Sequence, residues 1–180
     1  MAKLKGVLKK VGNDWWQLPR LRRLDLKTGK AKGKYNTPSL RRQKVRARIR
    51  TPEEVNQARK AFEKAGGPRD QFCEMARKKA TITDLRAMGM TDEQAVLFKR
   101  TGQYPKGFQV HHRVPIKAGG SNDMDNLVLI KNDPDHKLIT AQQNSILRRH
   151  PNGSTVDVEL PMTPPGKVTW PQSGQKAYQR

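Results

Sequence analysis

Phe108-Gln-Val-His-His-Arg-Val-Pro-Ile-Lys-Ala-Gly-Gly-Ser-Asn-Asp-Met-Asp-Asn-Leu-Val-Leu-Ile-Lys-Asn-Asp-Pro-Asp-His136 carries three of the four histidines in the chain. Residues 108–116 suit a strand and residues 126–130 a second one, with a long loop over 117–125 centred on Gly119-Gly120. Asn132-Asp-Pro-Asp supplies a helix start, and the helix is expected over 134–148. The order is strand, loop, strand, helix. Adjacent residues on a strand point to opposite faces, so His111 and His112 are expected to do different jobs.

Those jobs suit phosphodiester chemistry. One imidazole holds a metal ion and the other faces an attacking water, while His136, in the first turn of the following helix, completes the metal site from the other side. Asn126 opens the second strand, and its amide oxygen is placed to accept from an imidazole N–H, fixing the tautomer of the base. Gly119-Gly120 lets the loop bend without a side chain in the path of a phosphate. Arg113, Lys117 and Lys131 are available to neighbouring phosphates, or form a solvated face.

The rest of the chain reads as support and delivery. It has 180 residues, a net charge of +21, and a hydrophobic content of 34%, so a compact core is expected to use only part of the length. Residues 1–50 hold 17 Lys/Arg against Asp14 and Asp25, and such an arm favours a polyanionic partner. It is expected to be extended or irregular, with a basic helix as the option for residues 39–50 and with Trp15-Trp16 either stacking on bases or anchoring the arm. Cys73 excludes an internal disulfide and is expected to be a buried thiol. No apolar run approaches membrane-spanning length, and the first residues lack a signal-peptide core. Synthesis as a cytoplasmic soluble protein is the expectation, with later export by another route left open.

Residues 51–103 read as a helical scaffold. Thr51-Pro-Glu-Glu starts one helix that Gly66-Gly67 ends; a second covers 69–80, a short turn starts at Thr83, and the capping box Thr91-Asp-Glu-Gln opens a last helix that Gly102 closes. Residues 104–149 then form the functional core and residues 150–180 a Pro/Gly-rich tail, in which 155–160 and 167–170 are expected to pair as a hairpin.

The His-His pair, Pro115, Gly119-Gly120, Asp123-Met-Asp-Asn126 and His136 together resemble the HNH, or ββα-metal, nucleases, most closely the DNase domains of colicins and pyocins and related bacterial toxin domains. The resemblance implies an α+β fold with a C-terminal ββα-metal core, a metal ligand at His111, the general base at His112, its orienting residue at Asn126, and a second ligand at His136. It also implies a divalent-metal-dependent endonuclease acting on DNA in preference to RNA, an antibacterial toxin role, and an acidic immunity protein as partner. Two positions depart from the pattern: Thr140 stands where a third histidine is usual, and Gln109 where a glutamate is usual. Two protein ligands plus water favour Mg²⁺ or Mn²⁺ over Zn²⁺ or Ni²⁺. The alternatives are a phage or mobile-element HNH endonuclease, and a non-catalytic nucleic-acid-binding module with a structural metal.

Overall fold

The computed structural model describes residues 40–171 and, before them, four short strands: β1 (Lys10–Val11), β2 (Trp15–Trp16), β3 (Arg22–Leu24) and β4 (Ala31–Lys34). The side chains of Trp15 and Trp16, and so the choice between stacking and anchoring, lie outside the described residues. The architecture is α+β, with β5 (Leu40–Arg48) leading into four helices: α1 (Pro52–Glu63), α2 (Pro68–Lys79), α3 (Ile82–Ala87) and α4 (Asp92–Thr101). Three of these helices start on reciprocal capping boxes, Thr51 with Glu54, Thr81 with Asp84, and Thr91 with Gln94. Each box satisfies amide donors that the first turn leaves open. Gly102 ends α4 at φ +74°, a conformation that glycine adopts without strain.

The helices bury Phe62, Phe72, Ala76, Leu85, Met88 and Phe98 in one core, and Cys73 belongs to it as expected. Burial pushes the Cys73 thiol up to about 11, so it is an inert packing group at neutral pH. The core is closed by Phe108 and Val110 from β6 (Phe108–His112) and by Leu127 and Leu129 from β7 (Leu127–Lys131). These two strands pair antiparallel, with His111 opposite Val128 and His112 opposite Leu127. The opposite face of β7, Val128 and Ile130, packs with Leu40, Trp170 and Ile139 of α5 (Lys137–Leu147). Between β6 and β7 the chain makes short helical turns at Ile116–Ala118 and Met124–Asn126. Before α5 it makes an irregular turn at Asn132–His136, in which Asp133 is extended. The strand expected to reach residue 116 therefore stops at His112.

Residues 40–48 form a strand, not a helix. In Lys44-Val-Arg-Ala-Arg-Ile-Arg50 the apolar side chains alternate with basic ones, and Ala47 and Ile49 are buried while Lys44, Arg46 and Arg48 are exposed. That two-residue period buries one face of a strand, whereas a helix would scatter the same residues around its axis. The partner is β8 (Thr155–Met162), antiparallel to β5 over Arg41↔Met162 to Arg48↔Thr155. Val158, Leu160 and Met162 join Ala47 and Ile49 over Leu147 of α5 and Ala118 of the loop. On the exposed face Lys44 sits opposite Glu159 and Arg46 opposite Asp157, a favourable cross-strand pattern.

The expected C-terminal hairpin is absent: β8 joins β5, while β9 (Thr169–Trp170) runs parallel to β7. Strand orders are β1-β2-β5-β8, β3-β4 and β6-β7-β9. The segments read as arm and tail thus back the functional core through β5 and β8. In its own sheet β6 is an edge strand, and that position shapes the site.

Candidate active site

Because β6 lies at a sheet edge, side chains from both of its faces reach one cleft between α1 and α5. Its volume is about 320 Å³, and Arg59, Phe62, His111, His112, His136 and Thr140 are among the residues that line it. His111 leaves β6 toward α5. Its ring meets that of His136 edge to face, with centroids 5.1 Å apart and planes at 78°. His111 Nε2 is fully buried and has no hydrogen-bond partner among the described residues. His136 Nε2 lies 3.1 Å from the hydroxyl of Thr140, one turn further along α5. The extended Asp133 starts the turn that presents His136, and Lys137 Nζ holds Asp133 at 2.8 Å.

Burial, reinforced by the positive charge that His136 would carry, keeps His111 well below the usual imidazole range. Burial also lowers His136 to about 4. Both rings are therefore neutral at pH 7, the form in which imidazole binds a metal. Two neutral, facing imidazoles, one with an unpartnered buried nitrogen, fit an open metal site whose remaining positions are left to water and substrate. Among the described residues no group of three or more His, Cys, Asp or Glu gathers around one point. Thr140 adds a hydroxyl beside His136, and Gln109 lines the cleft with its Nε2 fully buried and unpartnered.

His112 leaves β6 on the other face, as the alternation of the strand requires. Its ring packs edge to face on Phe62 of α1, centroids 4.5 Å apart, and Nε2 lies 2.8 Å from Asn122 Oδ1. Burial lowers its pKa, the Asn122 contact opposes that shift, and the nearby charges of Arg50 and Arg59 add to it. The ring is neutral at pH 7 and able to accept a proton.

The hydrogen bonds of the Asn126 amide go to the loop and not to His112. Its Oδ1 accepts from Val114 N at 2.8 Å, and its Nδ2 donates to Val114 O at 3.0 Å and Ser121 O at 2.8 Å. Every polar atom of the amide is engaged in closing the loop, because Asn126 sits in the turn before β7 and Leu127 is the residue opposite His112. The amide that does lie within hydrogen-bond distance of His112 is that of Asn122, a loop residue with no periodic signal around it. Gly120 also serves the loop: a Cβ there would lie 1.9 Å from Val114 O. Arg50 donates to the carbonyls of Ile116 and Gly120 at 3.2 and 3.0 Å, tying the end of the supposed arm to this loop.

The expected phosphate-binding residues divide. Arg113 is buried, and its guanidinium donates to the carbonyls of Pro164, Lys167 and Leu127, so it anchors the C-terminal segment. Lys117 lines the cleft while its Nζ donates to Asn152 at 2.8 Å, and Lys131 does not line it. Arg59, on an exposed helix face that carries no motif, stands at the cleft, and its charge acts on His112.

In sequence the chain is similar to the uncharacterized protein YhhZ of Escherichia coli strain K12, 40% identical over 62 residues. The matched stretch is 34% of this chain and 16% of that protein, so the chain corresponds to a small part of its relative's length. No family model and no solved structure matches it.

Proposed function

We propose that this chain is a divalent-metal-dependent endonuclease of the HNH, or ββα-metal, type, hydrolysing phosphodiester bonds of DNA. The supporting observation is the arrangement across β6: His111 faces His136 on one side, His112 faces Asn122 on the other, and the three histidines open to one cleft. A structural role for the histidines would not need a neutral imidazole held apart from the pair and reachable from the same cleft.

His111 and His136 would hold the ion, and the openness of a two-imidazole site favours Mg²⁺ or Mn²⁺. When bound, a divalent ion polarises a phosphoryl oxygen and neutralises charge on the leaving oxygen. His112, neutral and held in place by Phe62 and Asn122, takes the proton from the attacking water, a contribution of about 10²–10⁴-fold for general-base catalysis. Arg59 and Lys117 draw the backbone of the substrate to the cleft. Asn126 and Gly120 keep the loop that carries Asn122 in one shape.

The biological reading is an antibacterial toxin, and a net charge of +21 then calls for an immunity protein with an acidic surface. The direct test is incubation of purified protein with plasmid DNA and with RNA across Mg²⁺, Mn²⁺, Zn²⁺ and Ni²⁺, with EDTA as control. Nicking of plasmid with Mg²⁺ or Mn²⁺, blocked by EDTA, is the expected result. Absence of cleavage with all four metals would contradict the reading.

A further inference from the structure

We propose that Asn122 is a positioning residue that fixes His112 as the Nε2–H tautomer and so makes Nδ1 the nitrogen that takes the proton. The inference rests on His112 being the base, and it adds which atom acts and what selects it. The amide of Asn122 bridges two groups: Oδ1 is 2.8 Å from His112 Nε2, and Nδ2 donates to the backbone carbonyl of Ala58 in α1 at 3.3 Å. A carbonyl only accepts, so the Ala58 contact requires the NH₂ end of the amide to face α1. The oxygen end must then face the imidazole. An oxygen only accepts as well, so Nε2 must carry the hydrogen.

In a neutral ring that leaves the lone pair on Nδ1. A flipped amide would set Oδ1 against Ala58 O, two acceptors facing each other, and would keep only a bond from its NH₂ to an unprotonated Nε2, so the Ala58 carbonyl of α1 selects the tautomer through one side chain. Phe62, also on α1, packs edge to face on the ring and limits its rotation.

The step balances. A water proton passes to Nδ1 while the water oxygen bonds to phosphorus and the bond from phosphorus to the leaving oxygen breaks. The leaving oxygen takes a proton from solvent. The ring then carries a hydrogen on each nitrogen, and Asn122 Oδ1 still accepts from Nε2, so the amide need not move during the reaction. Asn126 is excluded from this role because its amide closes the loop instead.

The test is nitrogen NMR of ¹⁵N-labelled full-length protein at pH 8, with the His112 signals identified by their loss in His112→Ala. The wild type should show protonated Nε2 and unprotonated Nδ1. Asn122→Leu, checked for folding by its amide spectrum, should lose that preference and lower kcat by about 10–100-fold with KM within about twofold. Asn122→Asp, which keeps the acceptor, should retain the Nε2–H form. An Nδ1–H ring in the wild type, or an unchanged tautomer and kcat in Asn122→Leu, would overturn the proposal. If Asn122→Leu does not fold, the wild-type spectrum and Asn122→Asp still decide it. A correct tautomer in a protein that cleaves nothing would count against the nuclease reading alone.

Discussion

Thr140 is the side chain that most sharply separates two kinds of metal chemistry. It stands one turn after His136 on α5, and its hydroxyl is 3.1 Å from His136 Nε2, so a side chain there reaches the proposed ligand His136. Thr140→His should supply a third imidazole and raise Zn²⁺ affinity by about tenfold or more, measured by calorimetry. Unchanged Zn²⁺ affinity would show that His111 and His136 are not the ligands. The same pair predicts acid sensitivity of the metal-free protein. His136 falls from its ordinary 6.5 to about 4 on folding, so the unfolded chain binds its proton more readily. The contribution is complete above pH 6.5 and is lost as pH falls toward 4. Urea midpoints should drop across that window and drop less in His136→Gln; parallel curves would contradict the assignment. At this scale the sequence revealed the opposite facing of His111 and His112, because strand alternation alone fixes it. Asn122 was hidden because loop residues find their partners through tertiary closure, which no local pattern records.

The elements that hold the site were legible to different degrees for a physical reason. Capping boxes at Thr51 and Thr91 announce helix starts within four residues, and α1 and α4 begin where those signals place them. The strand β5 carried an equally strict signal, the alternation from Lys44 to Arg50, but its charge invited an irregular or helical reading. Its partner β8 lies more than a hundred residues away, and neither strand buries its apolar face without the other. A truncation that removes residues 1–50 should therefore expose Val158, Leu160 and Met162, and also remove Arg50 from the loop. Loss of cooperative thermal unfolding is expected, together with loss of activity. A truncated chain with the melting temperature of the full chain would show that β5 is dispensable. Within the same ribbon Leu160→Ala should cost about 2–5 kcal/mol, since Leu160 is fully buried.

Across the whole molecule, charge and chemistry are arranged together. Seventeen basic residues precede residue 51, yet Arg50 holds the loop and the exposed Lys44, Arg46 and Arg48 belong to a strand that backs the core. The basic segment is thus part of the architecture, and under the proposed function its charge would also attract nucleic acid to the cleft where Arg59 and Lys117 stand. The account stands most directly on His112, whose ring packs on Phe62 and hydrogen-bonds Asn122 while His111 pairs with His136, so its side chain can be removed and the His111–His136 pair kept. The decisive measurement is the rate of supercoiled plasmid nicking in Mg²⁺ or Mn²⁺ by wild type and His112→Ala, with melting temperature and DNA affinity determined on the same samples. The account predicts a loss of about 10²-fold or more in rate, with folding and DNA binding retained. Undiminished nicking by His112→Ala would contradict it.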